Sequence, residues 1–114
     1  MSARARLQNR RALDTVEFVH QGVTLFGSVG RGPDGEINEI FLNVSAKVGS
    51  QVEEVCRDAA VSASLALQHG CPVDTLRSAL VKDAAGNPTG AVGRVIDMLR
   101  APQAPAEKAE ASGR

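Results

Sequence analysis

Hydrophobic and polar residues alternate along the first half of the chain and then change period. Val16, Phe18 and His20 interleave with Thr15, Glu17 and Val19, which is the two-residue rhythm of a strand. Gln21-Gly22 breaks the run, and Val23–Val29 resumes it with Val23, Leu25, Gly27 and Val29 on one face. Gly32-Pro33-Asp34-Gly35 is a strong turn signal: Pro33 presets φ, Asp34 caps locally and Gly35 accepts a positive φ. A third strand spans Ile37–Val44. Strict alternation puts Ile37, Glu39, Phe41 and Asn43 on one face, and Asn38, Ile40, Leu42 and Val44 on the other. Three strands joined by short turns predict an antiparallel meander.

From Ser50 the period lengthens. Ser50-Gln51-Val52-Glu53 fits a capping box, opening a helix that runs to about His69. Val52, Val55, Cys56, Ala59, Ala63, Ala66 and Leu67 recur at spacings of three and four, and the many small residues let the helix lie close to a sheet. Gly70 is a natural stop. Cys71-Pro72 opens a shorter helix with Leu76, Ala79 and Leu80 on one face, and Pro suits its first turn. Asp83–Thr89 reads as a loop. A third helix from about Gly90 to Arg100 carries Val92, Val95, Ile96 and Leu99. The expected fold is α+β: a three-stranded antiparallel meander followed by three helices packed on one face, in the order β-β-β-α-α-α.

The ends differ from this body. Residues 1–14 are aperiodic and basic, with Arg4, Arg6, Arg10 and Arg11 and no acid among the first eleven. They are either an arm for phosphates or an acidic partner, or a frayed, solvated terminus. Residues 101–114 hold no apolar face and read as a disordered tail. The domain is therefore expected over residues 15–100. A domain of this size buries only about 60–65% of its unfolded surface, so pairing with a partner or with itself would help it.

Composition narrows the function. The 114 residues carry 13 basic and 13 acidic side chains, a formal net charge of zero, so nothing global draws the chain to nucleic acid or an anionic membrane. Phe18, Phe26 and Phe41 are the only aromatics, which leaves Val, Leu, Ile and Ala to build the core. Two cysteines, Cys56 and Cys71, are too few for a disulfide scaffold or a zinc site. With no signal peptide in evidence they point to a reducing, cytoplasmic setting. The longest apolar run falls short of the roughly 18 residues of a membrane span.

No side-chain set predicts catalysis, and no metal site is expected. His20 sits at a strand end and His69 in a last helical turn, where a cation offsets the helix dipole. Cys56 falls on an apolar helix face. Cys71, near the start of the second helix, is either a reactive thiol or a structural one. Gly27-Ser28-Val29-Gly30-Arg31-Gly32 is glycine-rich but precedes no helix, and reads as turn chemistry. Lys47 and Ser50 flank a helix start, where they serve either an anion or a plain cap. Glu39, shielded beside Ile37 and Phe41, answers an Arg or a ligand amine if it is not simply a surface carboxylate. Glu39, Asn43, Lys47 and Ser50 together are the candidate ligand- or partner-binding residues.

Asp34-Gly35-Glu36-Ile37-Asn38-Glu39-Ile40-Phe41-Leu42-Asn43 resembles the D-G-x-x-x-E-I-F-L-N stretch of the TSCPD domain family. The similarity continues through Gly49-Ser50, Ala59-Ala60, Ser64-Leu65-Ala66-Leu67-Gln68-His69-Gly70, Pro72, Leu76, Leu80 and Gly86-Asn87-Pro88, over roughly residues 15–100. That family occurs near the C-terminus of vitamin B12-dependent ribonucleotide reductases and as short standalone proteins. The Thr-Ser-Cys-Pro-Asp pentapeptide that names it is absent here, as is a paired-cysteine tail. The resemblance implies an accessory role in the ribonucleoside-diphosphate reductase system, which supplies deoxyribonucleotides for DNA synthesis. It implies no catalysis by this chain alone and no cofactor bound by it, although the related full-length reductases use adenosylcobalamin. The implied partner is a reductase catalytic chain or a nucleotide. The alternatives are a small nucleic-acid-binding module, which uses the Arg-rich arm and the open sheet face, and a structural homodimer.

Overall fold

The computed structural model describes residues 13–45 and 51–100. Three strands, β1 (Leu13–His20), β2 (Val23–Arg31) and β3 (Ile37–Val44), form one antiparallel sheet in the order β1-β2-β3. Three helices follow: α1 (Gln51–Gln68), α2 (Val73–Ala79) and α3 (Ala91–Leu99). α1 and α3 pack on one face of the sheet and α2 packs against α1, so the fold is the expected α+β arrangement in the order β-β-β-α-α-α. β1 begins at Leu13, two residues earlier than the alternation starting at Thr15 implied, because pairing with Gly30 extends the ladder. None of the described helices is long and apolar enough to cross a membrane.

The turns follow from local chemistry. Gln21 (φ 53) and Gly22 (φ 80) make a two-residue hairpin between the His20↔Val23 pair. In the second turn the Gly35 amide donates to Gly32 O (2.9 Å), the Glu36 amide donates to Asp34 Oδ1 (3.0 Å), and Gly35 takes φ 85. At the end of α1 the amides of Gly70 and Cys71 reach back to the carbonyls of Leu67 (3.2 Å) and Ala66 (3.0 Å), a Schellman closure.

The register departs from strict alternation at one place. Gly30 opposes Glu39 but Arg31 opposes Ile37, so Asn38 is an extra residue in β3. This bulge corrects the expected faces. Ile37 turns into the core beside Ile40 and Leu42, while Glu39 stays on the opposite face. Without the bulge Ile37 would face away from the helices, and its burial would be lost.

The core lies between the sheet and α1 and α3. Leu25, Val29 and Ile40 from the sheet and Val95, Ile96 and Leu99 from α3 are its fully buried members. Cys56, Ala60, Ala63 and Leu67 add the contribution of α1. The glycine-rich run in β2 is not turn chemistry: Gly27 and Gly30 lie mid-strand. Position 27 is small because α3 crosses there, with Val95 against the backbone.

Charged side chains tie the layers at the edges. Arg31 donates to Asp14 Oδ2 (3.0 Å) and to the carbonyls of Gly35 (3.2 Å), Arg100 (3.0 Å) and Leu99. A fixed guanidinium thus covers the otherwise open C-terminal carbonyls of α3, where its charge also complements the helix dipole. Arg77 of α2 forks onto Asp97 of α3 (2.5 and 3.0 Å) and reaches Gly86 O (3.3 Å).

Candidate functional site

Of the sequence-derived candidates, Glu39 and Asn43 lie among the described residues. Glu39 is buried and Asn43 is exposed, both on the sheet face away from the helices. They stand four residues apart on β3, about 13 Å along a strand. Lys47 and Ser50, with the proposed capping box, lie outside the described residues, as do Arg4, Arg6, Arg10, Arg11 and the 101–114 tail. The open sheet face carries Thr15, Glu17, Phe26, Phe41 and Asn43 in neighbouring rows, with no Lys or Arg among its described residues. That face offers acids, hydroxyls and two phenyl rings rather than a surface for phosphates.

The two histidines hold structural bonds. His69 Nδ1 donates to Leu65 O (2.9 Å), closing the last turn of α1. His20, at the end of β1, receives Arg94 Nη1 on its Nδ1 (3.2 Å), and the same nitrogen of Arg94 donates to Val19 O (2.9 Å). Arg94 lies 5.0 Å from the centroid of the Phe18 ring. Arginine is a donor only, so Nδ1 of His20 must accept and the ring proton sits on Nε2. Burial lowers the His20 pKa, and the neighbouring Arg94 charge lowers it further, so the ring is neutral at pH 7.

A cavity of about 650 Å³ opens beside His20 between the helices. One wall is α1, through Val52, Val55, Cys56, Ala59, Ser62 and Ala63. The facing wall is Leu76 of α2 with Leu80 and Val81, the two residues that follow the helix. Gly90 and the first turn of α3 form the third side, and His20, Gln21 and Gln51 one end. Among the described residues the lining contains no Asp, Glu, Lys or Arg. Burial pushes the pKa of the Cys56 thiol at its wall up, which favours the protonated form.

The cavity exists because α1 is apolar on more than one face. The sheet takes Glu53, Cys56, Ala60, Ala63, Ser64, Leu67 and Gln68. The stripe read from the sequence as the buried face includes Val52, Val55 and Ala59, which lie roughly a quarter-turn round the helix at 100° per residue. These three are exposed; Val55 is 62% accessible. They form the cavity wall instead of the sheet contact. Sequence reasoning did not single out this site. The available signal was the width of the apolar stripe, since a helix lying on one sheet needs only one face.

A smaller cleft of about 360 Å³ lies under the second turn, where Asp34, Glu36 and Asp74 approach Cys71. Asp74 is engaged by Arg100. Among the described residues, no group of three or more His, Cys, Asp or Glu side chains is placed to hold a metal ion.

The two stretches that carry the TSCPD resemblance meet in space. The Ile40 amide donates to Ser64 Oγ (2.8 Å), and the same hydroxyl donates to Ile40 O (3.1 Å). One turn on, Gln68 Nε2 donates to Asn38 O (2.9 Å). No protein-family model matches the chain, and no solved structure matches it.

Proposed function

We propose that this chain is an accessory binding module of the ribonucleotide reductase system, a standalone domain of the TSCPD type. It supplies a shaped surface and no reacting group. The observation that supports the family reading is the pair of hydrogen bonds between Ser64 and Ile40, continued by Gln68 on Asn38. Residues 38–40 and 64–68 are far apart in the chain yet form one packed unit, as a shared substructure would require.

The binding role rests on the cavity, which is apolar, accessible and of the size that suits a ligand. Among the described residues its boundary brings together no nucleophile with a base: burial favours the protonated Cys56 thiol, and the Nδ1 lone pair of His20 is occupied by Arg94. The partner of this reading is a vitamin B12-dependent reductase catalytic chain, working with its own adenosylcobalamin.

Gentle purification of the tagged full-length chain from its native cells tests the proposal. Recovery of a reductase chain at near-stoichiometric yield, and a change in its turnover on adding this protein, is the expected result. Turnover unchanged at saturating protein, with no reductase recovered, would refute the association.

A further inference from the structure

We infer that the cavity between α1, α2 and α3 binds a small, uncharged, elongated aliphatic molecule with one hydrogen-bond acceptor at its end. The inference deepens the binding-module reading, yet it concerns this chain alone, so it and the reductase association fail separately.

Charge excludes the first alternative. A nucleotide needs cations or several free donors for its phosphates, and among the described residues no charged side chain lines the cavity. Bringing a phosphate or carboxylate against Val55, Ala59, Leu76 and Leu80 strips its water without replacement. Composition excludes the second. The cores of protein–protein interfaces are enriched in aromatic, Met and Arg side chains. Among the described residues this lining has no Phe, Tyr, Trp, Met or Arg and consists largely of Val, Ala, Leu and Gly.

Shape and polarity then set the class. The α1 wall runs from Gln51 to Ala63, about 18 Å at 1.5 Å per residue, long enough for an extended aliphatic chain. Three polar side chains, His20, Gln21 and Gln51, gather at one end, and the Ser62 hydroxyl lies toward the other. His20 and Gln21 belong to the β1–β2 hairpin, and α1 starts at Gln51, at that same end of the sheet. Arg94 fixes the His20 proton on Nε2, so the ring contributes a donor and the fitting head group is an alcohol or carbonyl oxygen.

Titration of 1-octanol into the isotope-labelled full-length chain, followed by amide NMR shifts, tests the inference. Saturable shifts are expected at Val55, Ala59, Leu80 and Ala91. Octanoate, with the same chain and a charged head, binds about tenfold more weakly, and ATP leaves these amides in place. Val55→Asp puts a charge in the wall at an already exposed position and weakens octanol binding about tenfold or more. Val61→Asp, at an exposed α1 position outside the cavity, keeps it. Absence of saturable shifts, octanoate or ATP binding as tightly as octanol, or undiminished binding by a folded Val55→Asp variant would each overturn the assignment. So would cavity shifts that follow protein concentration in the absence of octanol, which would mark a second copy as the occupant.

Discussion

Val95 presses against the backbone of Gly27 so closely that a methyl group there would lie 2.5 Å from Val95 Cγ2 and 3.4 Å from Phe18 Cε1. The contact sets how near α3 lies to β1 and β2, and Val95 itself is fully buried. Gly27→Ala is therefore expected to cost about 1–3 kcal/mol by overpacking. In a domain this small, each kcal/mol lowers the melting temperature by roughly 4–8 °C. Val95→Ala makes room for the added methyl, so the double variant should be more stable than the sum of the two single losses. Thermal melts of the three variants check this; strict additivity would mean that the helix shifts instead.

Ser64 joins the helix layer to an edge strand. Its hydroxyl is both acceptor and donor to Ile40, on β3 at the edge of the sheet formed by the described residues. Ser64→Ala leaves a buried amide and carbonyl unmatched and should cost about 1–3 kcal/mol. Ser62→Ala, two residues away and exposed, should change stability by no more than about 0.5 kcal/mol. Urea denaturation of the pair is a direct comparison.

Two groups give the fold an acid limb. His20 has its folded-state pKa held below the ordinary value of 6.5, by burial first and then by Arg94. The unfolded chain therefore binds this proton at higher pH than the folded one. Stability from the neutral ring is complete above pH 6.5 and is lost as the pH falls through the folded pKa. His20→Gln should flatten the dependence of melting temperature on pH between about pH 7 and pH 5. Asp97 acts lower down. The hydrogen bond from Arg77 holds its carboxyl below the ordinary range, partly offset by burial, so its contribution is complete above about pH 4 and is lost below. The pair is solvent-accessible, and Asp97→Asn should cost about 1 kcal/mol or less at pH 7 and nothing below the folded pKa.

The two thiols should separate kinetically. Cys56 is buried with its pKa raised, whereas Cys71 is partly exposed between α1 and α2. Treatment of the native protein with an aromatic disulfide reagent should label one thiol rapidly and the second only slowly, through opening of the fold. Cys71→Ser should abolish the rapid phase and Cys56→Ser should leave it intact. A rapid phase that survives Cys71→Ser would show that the cavity admits the reagent to Cys56.

Much of this architecture is written locally. Alternation in Thr15–His20 and Val23–Val29, the Pro33-Asp34-Gly35 turn, the stop at Gly70 and the 92/95/96/99 face of α3 each depend on residues within a few positions of one another. Backbone sterics and the two helical and strand periods make such features readable along the chain. The order of three strands and three helices follows from them, and with it the α+β layering.

What the tertiary structure alone decided involves contacts between distant segments. The bulge at Asn38 reassigns Ile37 to the core because pairing with β2 and burial against the helices outweigh strict alternation. Gly27 is small because Val95, 68 positions later, needs the space. The apolar stripe of α1 divides into a sheet-facing half and a cavity-facing half only once α2 and α3 take their places beside it. Hydrophobicity is non-directional, so the sequence by itself marked Val52, Val55 and Ala59 as apolar, and only packing determined that they line a cavity rather than the core.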